Sequence, residues 1–597
     1  MKSLPQDRSL VSIGPCGVLM IDPNPAFNEA PLNRSKAFLG KIPGSVPVFY
    51  TSALLALFTL GPRAYPAEIH WTLADSPVAV NATLNVPKGT ILRIDPGVTV
   101  HVASGAGIDV SGQIIADGTA DSRITFTRSG ASGSWSGLKI DYGSDGTIRP
   151  SSVKFATLTH GTTLVDCNGT GNSDVLIEDC IMDSWSNLAI HWDNGANRFR
   201  VNRCRVGMNT PVSEQSHEAV NGYRSSAVVE YCIFGPRLGY NDTIDLGNTK
   251  WGGPVPTIRY NEILSGQDDG IDFDNCDGYI IGNFIHGRRP PANGPKEPAC
   301  PQYPIAGGNV NGGGITGNEG SKPVLMNNII YDCFHGIGYK NAADPTIINN
   351  TIVGCNFGVV LFQKADIPNP GLAHGTLVNN LFWSCDVPIK LSWCDTGPLS
   401  SADVENCLVP GGWTGTGNIS PTTSPLVDIV NPASPTRDDF RLRACSPAID
   451  AGFSGQVIRP FHTEDIPAAD SEGNARADMS SVPNTGTGTL AFVDIGAIEY
   501  TGPDECGPPQ PGSFIRGEAN GDGQLDVADA VRILFVLFAG FSTDCKDAVD
   551  TNDDGGMNVS DAIYLLQYLF SRGAEPPPPF LTKAQDPTPD SLDCQRT

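Results

Sequence analysis

The sequence predicts a mostly β chain wound as a parallel β-solenoid, followed by a small α-helical module at the C-terminus. Three observations predict it. A frame of Asn-Asn, an apolar pair and Cys recurs in VLMNNIIYDCFHGIG from Val324, TIINNTIVGCNFGVV from Thr346 and TLVNNLFWSCDVPIK from Thr376. Each repeat contains short alternating runs broken by Asn, Gly or Asp, the grammar of strands and turns rather than of helices. Near the end, two acidic loops of the same pattern each run into an apolar helix. Recurrence at a fixed period means stacked units, each burying a face that it cannot bury alone.

Residues 1–67 read as a leader. An uncharged apolar stretch, Val48 to Leu60, follows Arg34, Lys36 and Lys41 and precedes Ala64 and Ala67, a secretory signal with cleavage near Ala67. At 13 residues it is short for a membrane span. The solenoid is placed at 68–425. Its first coils lie in the strand-and-turn text from Val78, and weaker copies of the frame begin at Val175, Phe199, Val228, Ile258, Tyr279 and Asp403. The repeated Asn, with Asn327, Asn349 and Asn379 at one turn, is expected to stack as an amide ladder. Cys180, Cys204 and Cys232 share one frame position and Cys333, Cys355 and Cys385 another. They read as free core thiols, with disulfides between coils as the alternative.

Residues 426–501 read as a segment that caps the solenoid, in which Asp450, Asp470, Arg476, Asp494 and Glu499 make structural turns and ion pairs. A Pro/Gly linker spans 502–513, the helical module 514–575 and a Pro-rich tail 576–597, whose Cys594 can pair with Cys545.

Composition narrows the function. With 39 Lys+Arg against 64 Asp+Glu the net charge is -25, which disfavours nucleic acid and favours cationic ligands, Ca²⁺ included. Sixteen cysteines without a CxxC spacing fit export to the extracellular space or cell surface, with no integral membrane span after signal cleavage.

The opening coils and the Asn-Asn-x-Ile frames resemble the right-handed parallel β-helix, or pectin-lyase-like, superfamily, which includes pectate lyases, polygalacturonases and alginate or chondroitin lyases. The resemblance covers about residues 70 to 425 and implies a right-handed coil. Fold alone does not assign activity, because one scaffold hosts enzymes and non-enzymes alike.

Two loops follow at a spacing of thirty-two residues. The first offers Glu518, Asn520, Asp522, Gln524, Asp526 and Asp529; the second offers Asp550, Asn552, Asp554, Gly556, Asn558 and Asp561. Oxygen ligands at positions 1, 3, 5, 9 and 12, the backbone at 7 and Gly at 6 are the wrapping pattern for Ca²⁺. This arrangement resembles a type I dockerin module, which implies two Ca²⁺ ions and a cohesin-like scaffold protein as partner. Glu518 stands where the family has Asp, and Val527-Ala528 and Val559-Ser560 stand where a Ser-Thr pair recognises the partner.

Within the solenoid, aligning the coils puts Asp242 and Asp245 beneath Asp269 and Asp272, at about 4.8 Å per coil. Stacked carboxylates repel unless a cation or a shared proton intervenes. His335 and Lys340 follow, and Arg288 and Arg289 open a Pro/Gly-rich insertion and would bind substrate. The set resembles the polygalacturonase pattern in part, with Asn241-Asp242-Thr243 scrambled and His335 lacking its leading Gly. A hydrolase would use a carboxyl pair. A lyase would use Ca²⁺ held by the acids, with Lys340 or an Arg as base. The reading is an extracellular protein acting on acidic, uronic-acid or pectin-like polysaccharide, with a non-catalytic surface rod that binds glycan or scaffold as the alternative. Trp192, Trp251 and Trp383 would stack on sugar in either case.

Overall fold

The computed structural model describes residues 67–597 apart from 141–149, 169–173, 194–197, 210–217, 238, 240–241, 291–311, 364–370, 393–398, 428, 430, 503–512, 522–524, 572, 581–583, 589 and 595–597. The leader up to residue 66, nearly all of the linker, and loop residues Asp522 and Gln524 lie outside the described residues.

Among the described residues, parallel strands from Ala67 to Glu405 form three long sheets, A, B and C, of 13, 12 and 12 strands. Every strand pairs with the strand three places away in the chain, so each coil contributes one strand to each sheet. Alternation decides which side chains enter the core. In sheet C, Ile244, Ile271, Ile315, Ile337 and Val359 pair in register on successive coils, and all are fully buried. Cys180, Cys204, Cys232, Cys333 and Cys355 are buried free thiols, and Cys385 is a half-buried one.

The amide ladder forms at the corner between sheets A and B, but one residue later than the sequence reading placed it. The backbone N–H and Nδ2 of each ladder Asn donate to Oδ1 of the next: Asn261 to Asn283 at 3.1 and 3.0 Å, and Asn283 to Asn328 at 3.0 Å for both. Asn328 continues to Asn350 at 2.9 Å and Asn350 to Asn380 at 3.0 Å. Cysteines extend the file in both directions: Cys204 N–H donates to Cys232 Sγ at 3.4 Å, Cys232 N–H to Asn261 Oδ1 at 2.9 Å and Asn380 N–H to Cys407 Sγ at 3.3 Å. Asn327, Asn349 and Asn379 instead turn the chain, at φ of 55°, 52° and 56°, a left-handed conformation that Asn tolerates.

Those turning residues also explain where 426–501 goes. Asn327 Nδ2 donates to Ala469 O at 3.0 Å, Asn349 Nδ2 to Asp494 O at 3.0 Å and Asn379 Nδ2 to Phe453 O at 2.8 Å. The segment therefore lies along the flank of several coils rather than across the open end. Its acids are committed locally. Asp494 accepts from Asp450 N–H and Tyr500 N–H, Asp470 accepts from Asn474 and Glu499 N–H, and Arg476 pairs with buried Glu499 at 2.7 Å.

The C-terminal module has helices α1 (Val527–Phe538), α2 (Lys546–Val549) and α3 (Val559–Ser571) around Ala519, Ala530, Ile533, Val549, Ala562 and Leu565. Asp526 caps α1, accepting from Ala528 N–H at 2.7 Å, while Asp529 accepts from Asp526 N–H at 2.9 Å. Asn558 and Asp561 repeat that arrangement at α3. A Cys545–Cys594 disulfide ties the tail to the module. Among the described residues no helix is long and apolar enough to cross a membrane.

The ladder makes a prediction. Asn328→Ala removes the acceptor for two Asn283 donors, and at about 1–3 kcal/mol per unmet buried group the loss should reach roughly 3 kcal/mol. Asn327→Gly keeps the left-handed turn and should cost about 1 kcal/mol or less. Urea unfolding of both variants checks the contrast.

Candidate functional site

Five consecutive sheet C strands build the site: β1 (Val220–Tyr223), β2 (Ile244–Thr249), β3 (Ile271–Cys276), β4 (Gly313–Asn318) and β5 (His335–Lys340). Their pairing aligns Asn221, Asp245, Asp272, Thr316 and Gly338 in one outward file. His191 and Asp166 extend that file on the two preceding coils and bond to each other at 2.9 Å. The predicted pairing of Asp245 with Asp272 is therefore present.

Just before β2 and β3, the turns bring Asp242 to Asp268 and Asp269. Asp269 N–H donates to Asp242 Oδ1 at 3.1 Å. One carboxylate oxygen from each of Asp242, Asp268 and Asp269 lies within 4.8 Å of the others. Thr316 Oγ1 links this group to the file, donating toward Asp269 Oδ2 at 2.8 Å and Asp272 Oδ1 at 2.9 Å. Gly313 N–H donates to Asp269 Oδ1 at 2.9 Å. At Gly313 a Cβ would meet both Asp269 Oδ1 and His335 Cε1 at 2.5 Å, so only glycine lets this carboxylate and imidazole approach so closely.

The electrostatics follow from burial and repetition. Burial, then Asp268, Asp269, Asp272 and Asp245, push Asp242 well above the usual carboxylate range. Burial, Glu218 and Asp274 raise Asp245 to about 8, opposed by the Asn221 hydrogen bond. Burial and then Asp274 raise Asp272, while Lys340 partly offsets the rise. The donor set consists of convergent carboxylates, which suit a hard cation such as Ca²⁺. Asp242, Asp268 and Asp269 are the residues placed to hold one.

The two arginines take other positions than the sequence reading assigned. Arg288 is fully buried, with Nε donating to Asp268 O at 2.8 Å and Nη2 to Asp269 O at 2.5 Å, so it positions the acids from beneath. Arg289 points to another corner, pairing with Asp332 at 2.8 Å and donating to Gly354 O at 2.8 Å. The tryptophans also differ from the expectation of sugar platforms. Trp192 is in the core, Trp251 stacks on His462 at 4.2 Å and Trp383 packs against the flanking segment.

Sequence alignment passed over Glu218, whose Oε2 accepts from Asn221 Nδ2 at 3.0 Å while the same amide reaches Asp245 Oδ2 at 2.9 Å. No repeat marks Glu218. Only the coil stacking brings it to the file.

In the C-terminal module, loop 2 closes on itself. Asp550 accepts from Gly555 N–H at 2.8 Å, with Gly555 at φ 77° in the position that requires glycine. Asp561 is fully buried; its Oδ2 accepts from Asn558 N–H at 2.8 Å, and its Oδ1 has no partner within hydrogen-bond geometry among the described residues. Burial, Asp550 and Asp554 raise its carboxyl to about 6. Of loop 1, Asp529 Oδ1 accepts from Ala519 N–H at 2.9 Å and Asn520 N–H at 3.1 Å, and Glu518 accepts from Gly521 N–H at 2.5 Å.

Residues 243–408 match the family model described as right handed beta helix region. The coil is a right-handed parallel β-helix. Among solved structures, the chain is similar to pectate lyase Pel9A at 14% identity and a TM-score of 0.36, over 72% of this chain and 97% of that one. It is also similar to the PL6 family polysaccharide lyase Pedsa3628 from Pseudopedobacter saltans, at 12% identity and 0.33, over 60% and 91%. A third is an alginate lyase from Paenibacillus sp. str. FPU-7, at 11% identity and 0.24, over 54% and 97%. A search of curated proteins finds no match. At these scores the likeness carries no argument about activity, which rests on the residues.

The raised carboxyls make a pH prediction. A carboxyl whose folded value is raised above its unfolded one, near 3.8, contributes its full stability below the unfolded value, where it is protonated in both states, and loses that contribution as pH rises through the folded value, about 8 for Asp245. In chelator, the solenoid's thermal midpoint should fall from pH 5 to pH 8. Added Ca²⁺ should raise it most at pH 8, where its binding displaces the fewest protons. Calorimetry across that range checks both.

Proposed function

We propose that this is an extracellular polysaccharide-active protein that cleaves acidic, uronic-acid or pectin-like glycan at the sheet C file. One observation carries the reading: Asp242, Asp268 and Asp269 converge beside Asp272, His335 and Lys340 on consecutive coils. The file from Asp166 to Gly338 crosses seven coils, roughly 29 Å at 4.8 Å per step, a length suited to an extended chain of sugars.

A bound Ca²⁺ would neutralise a uronate carboxylate and so acidify the adjacent C–H. The protein's own groups supply the rest. Arg288 fixes the backbone of Asp268 and Asp269, Thr316 bonds the carboxylates of Asp269 and Asp272, and Lys340, beside Asp272, is the candidate base for the C5 proton. Asp245 and Asp272, with raised affinity for protons, are placed to return one to the departing oxygen. Elimination leaves an unsaturated end, whereas hydrolysis through the same carboxyls yields a reducing sugar alone. A screen against uronic-acid polysaccharides with Ca²⁺, reading both products, separates the two chemistries.

A second reading has an observation in its favour. Asp269, His335 and Lys340 are only 2%, 3% and 9% exposed, which suits a closed structural centre in a non-catalytic rod. Lys340→Ala and Asp269→Asn distinguish the readings. Catalysis predicts a 10²- to 10⁴-fold loss of turnover, the ordinary range for acid–base groups, with the far-UV spectrum retained. No turnover on any uronic-acid glycan favours the rod, whereas unchanged turnover in both variants moves catalysis away from these residues.

The C-terminal module is assigned as dockerin-like, binding one Ca²⁺ in each loop and docking on a cohesin-like scaffold. The buried, unpartnered Asp561 Oδ1 supports the metal assignment. Chelation should remove the module's helical signal near 222 nm and leave the solenoid's β spectrum in place. Asp554→Ala should weaken one of the two loop sites by at least tenfold in a calcium titration. A helical signal indifferent to excess chelator would refute calcium-dependent folding.

A further inference from the structure

Outside the two acidic loops, the tail and α2 bring together three further acids. One carboxylate oxygen from each of Asp547, Asp586 and Asp590 lies within 4.8 Å of the others. A cluster of acids at a surface is ordinary, but this one includes buried oxygens without donors. Asp547 is only 4% exposed, and its Oδ1 is sealed from solvent with no hydrogen-bond partner among the described residues. Asp586 divides its two oxygens. Oδ1 accepts from Arg516 Nη2 at 2.8 Å, Thr588 N–H at 3.0 Å and Thr588 Oγ1 at 2.6 Å, while Oδ2 is buried and accepts from none of the described residues.

Arg516 does not resolve the imbalance. Its guanidinium is fully buried and committed to Asp586 Oδ1, to Asp553 at 2.9 Å, and to the carbonyls of Asp547, Asp550 and Pro578. The backbone holds the acids in place from both ends. Phe514 and Ala584 exchange hydrogen bonds at 2.9 and 3.1 Å, Lys546 N–H donates to Asp593 O at 2.8 Å, and the Cys545–Cys594 disulfide lies just beyond. The backbone therefore keeps exposed Asp590, whose Oδ1 accepts from Leu592 N–H at 2.6 Å, beside Asp547 and Asp586, and a buried carboxylate oxygen without a donor is costly.

We propose that Asp547, Asp586 and Asp590 form a calcium site that clamps the C-terminal tail to the module. The donors are all carboxylate oxygens, the preference of a hard cation, with water completing the shell. The site does not depend on the polysaccharide reading or on the scaffold partner. Asp590 also converges with Asp550 and Asp553, so the clamp abuts position 1 of loop 2.

Equilibrium dialysis of Ca²⁺ against the full chain, stripped by chelator, tests it. Asp547→Asn and Asp586→Asn should each bind one Ca²⁺ fewer than the wild type, and Asp547→Asn combined with Asp554→Ala should bind fewer than either alone. Stoichiometry and affinity equal to wild type in Asp547→Asn would overturn the site. Hydrogen exchange gives a test that does not rely on the tail variants folding. Ca²⁺ should slow exchange over residues 584–594 in the wild type and still do so in Asp554→Ala. Loss of that response in Asp554→Ala would mean that the tail senses only loop 2, and would overturn the proposal.

Discussion

Parallel pairing of each strand with the one three places on is the constraint from which the rest of this structure follows. It sets successive coils at about 4.8 Å, so equivalent residues of neighbouring coils are in contact whatever their chemistry. Where the residue is Ile, contact adds to a continuous dry core. Where it is Asn, the side chain supplies both a donor and an acceptor along the file, and the ladder satisfies amides that would otherwise be buried unpaired. Cys232 and Cys407 substitute at the same corner because a thiol is small and its sulfur is a weak acceptor.

The same stacking turns costly when the repeated residue is Asp. Asp245 lies against Asp272, and Asp242 against Asp269, in partly or fully buried surroundings. The protein answers locally. Arg288 supports the carbonyls from below, Thr316 donates between two carboxylates and Lys340 offsets Asp272. The remaining imbalance raises the proton affinity of Asp242, Asp245 and Asp272, so protonation and stability are linked at one place. The C-terminal module shows the same principle at short range, with acids gathered by loop and tail geometry rather than by coil stacking.

The solenoid, the second loop of the module and the Asp245 to Asp272 stack were legible in the sequence because each is encoded by short-range spacing. A strand-and-turn frame repeats itself, an oxygen-rich loop wraps within twelve residues, and residues at equal frame positions must meet. The tail's Cys545–Cys594 link was likewise readable from the position of the leftover cysteine. What tertiary structure alone decided lies at contacts between segments of unrelated sequence. It assigned the ladder to the second Asn of each pair, because the first is needed in left-handed backbone and faces the segment lying along the flank. It sent Arg288 inward and Arg289 to another corner, drew Glu218 to the acid file, and set Asp586 and Asp590 of the tail against Asp547. Spacing along a chain determines which residues recur, whereas the direction of a side chain at a corner depends on what packs over that corner, and that neighbour is far away in sequence.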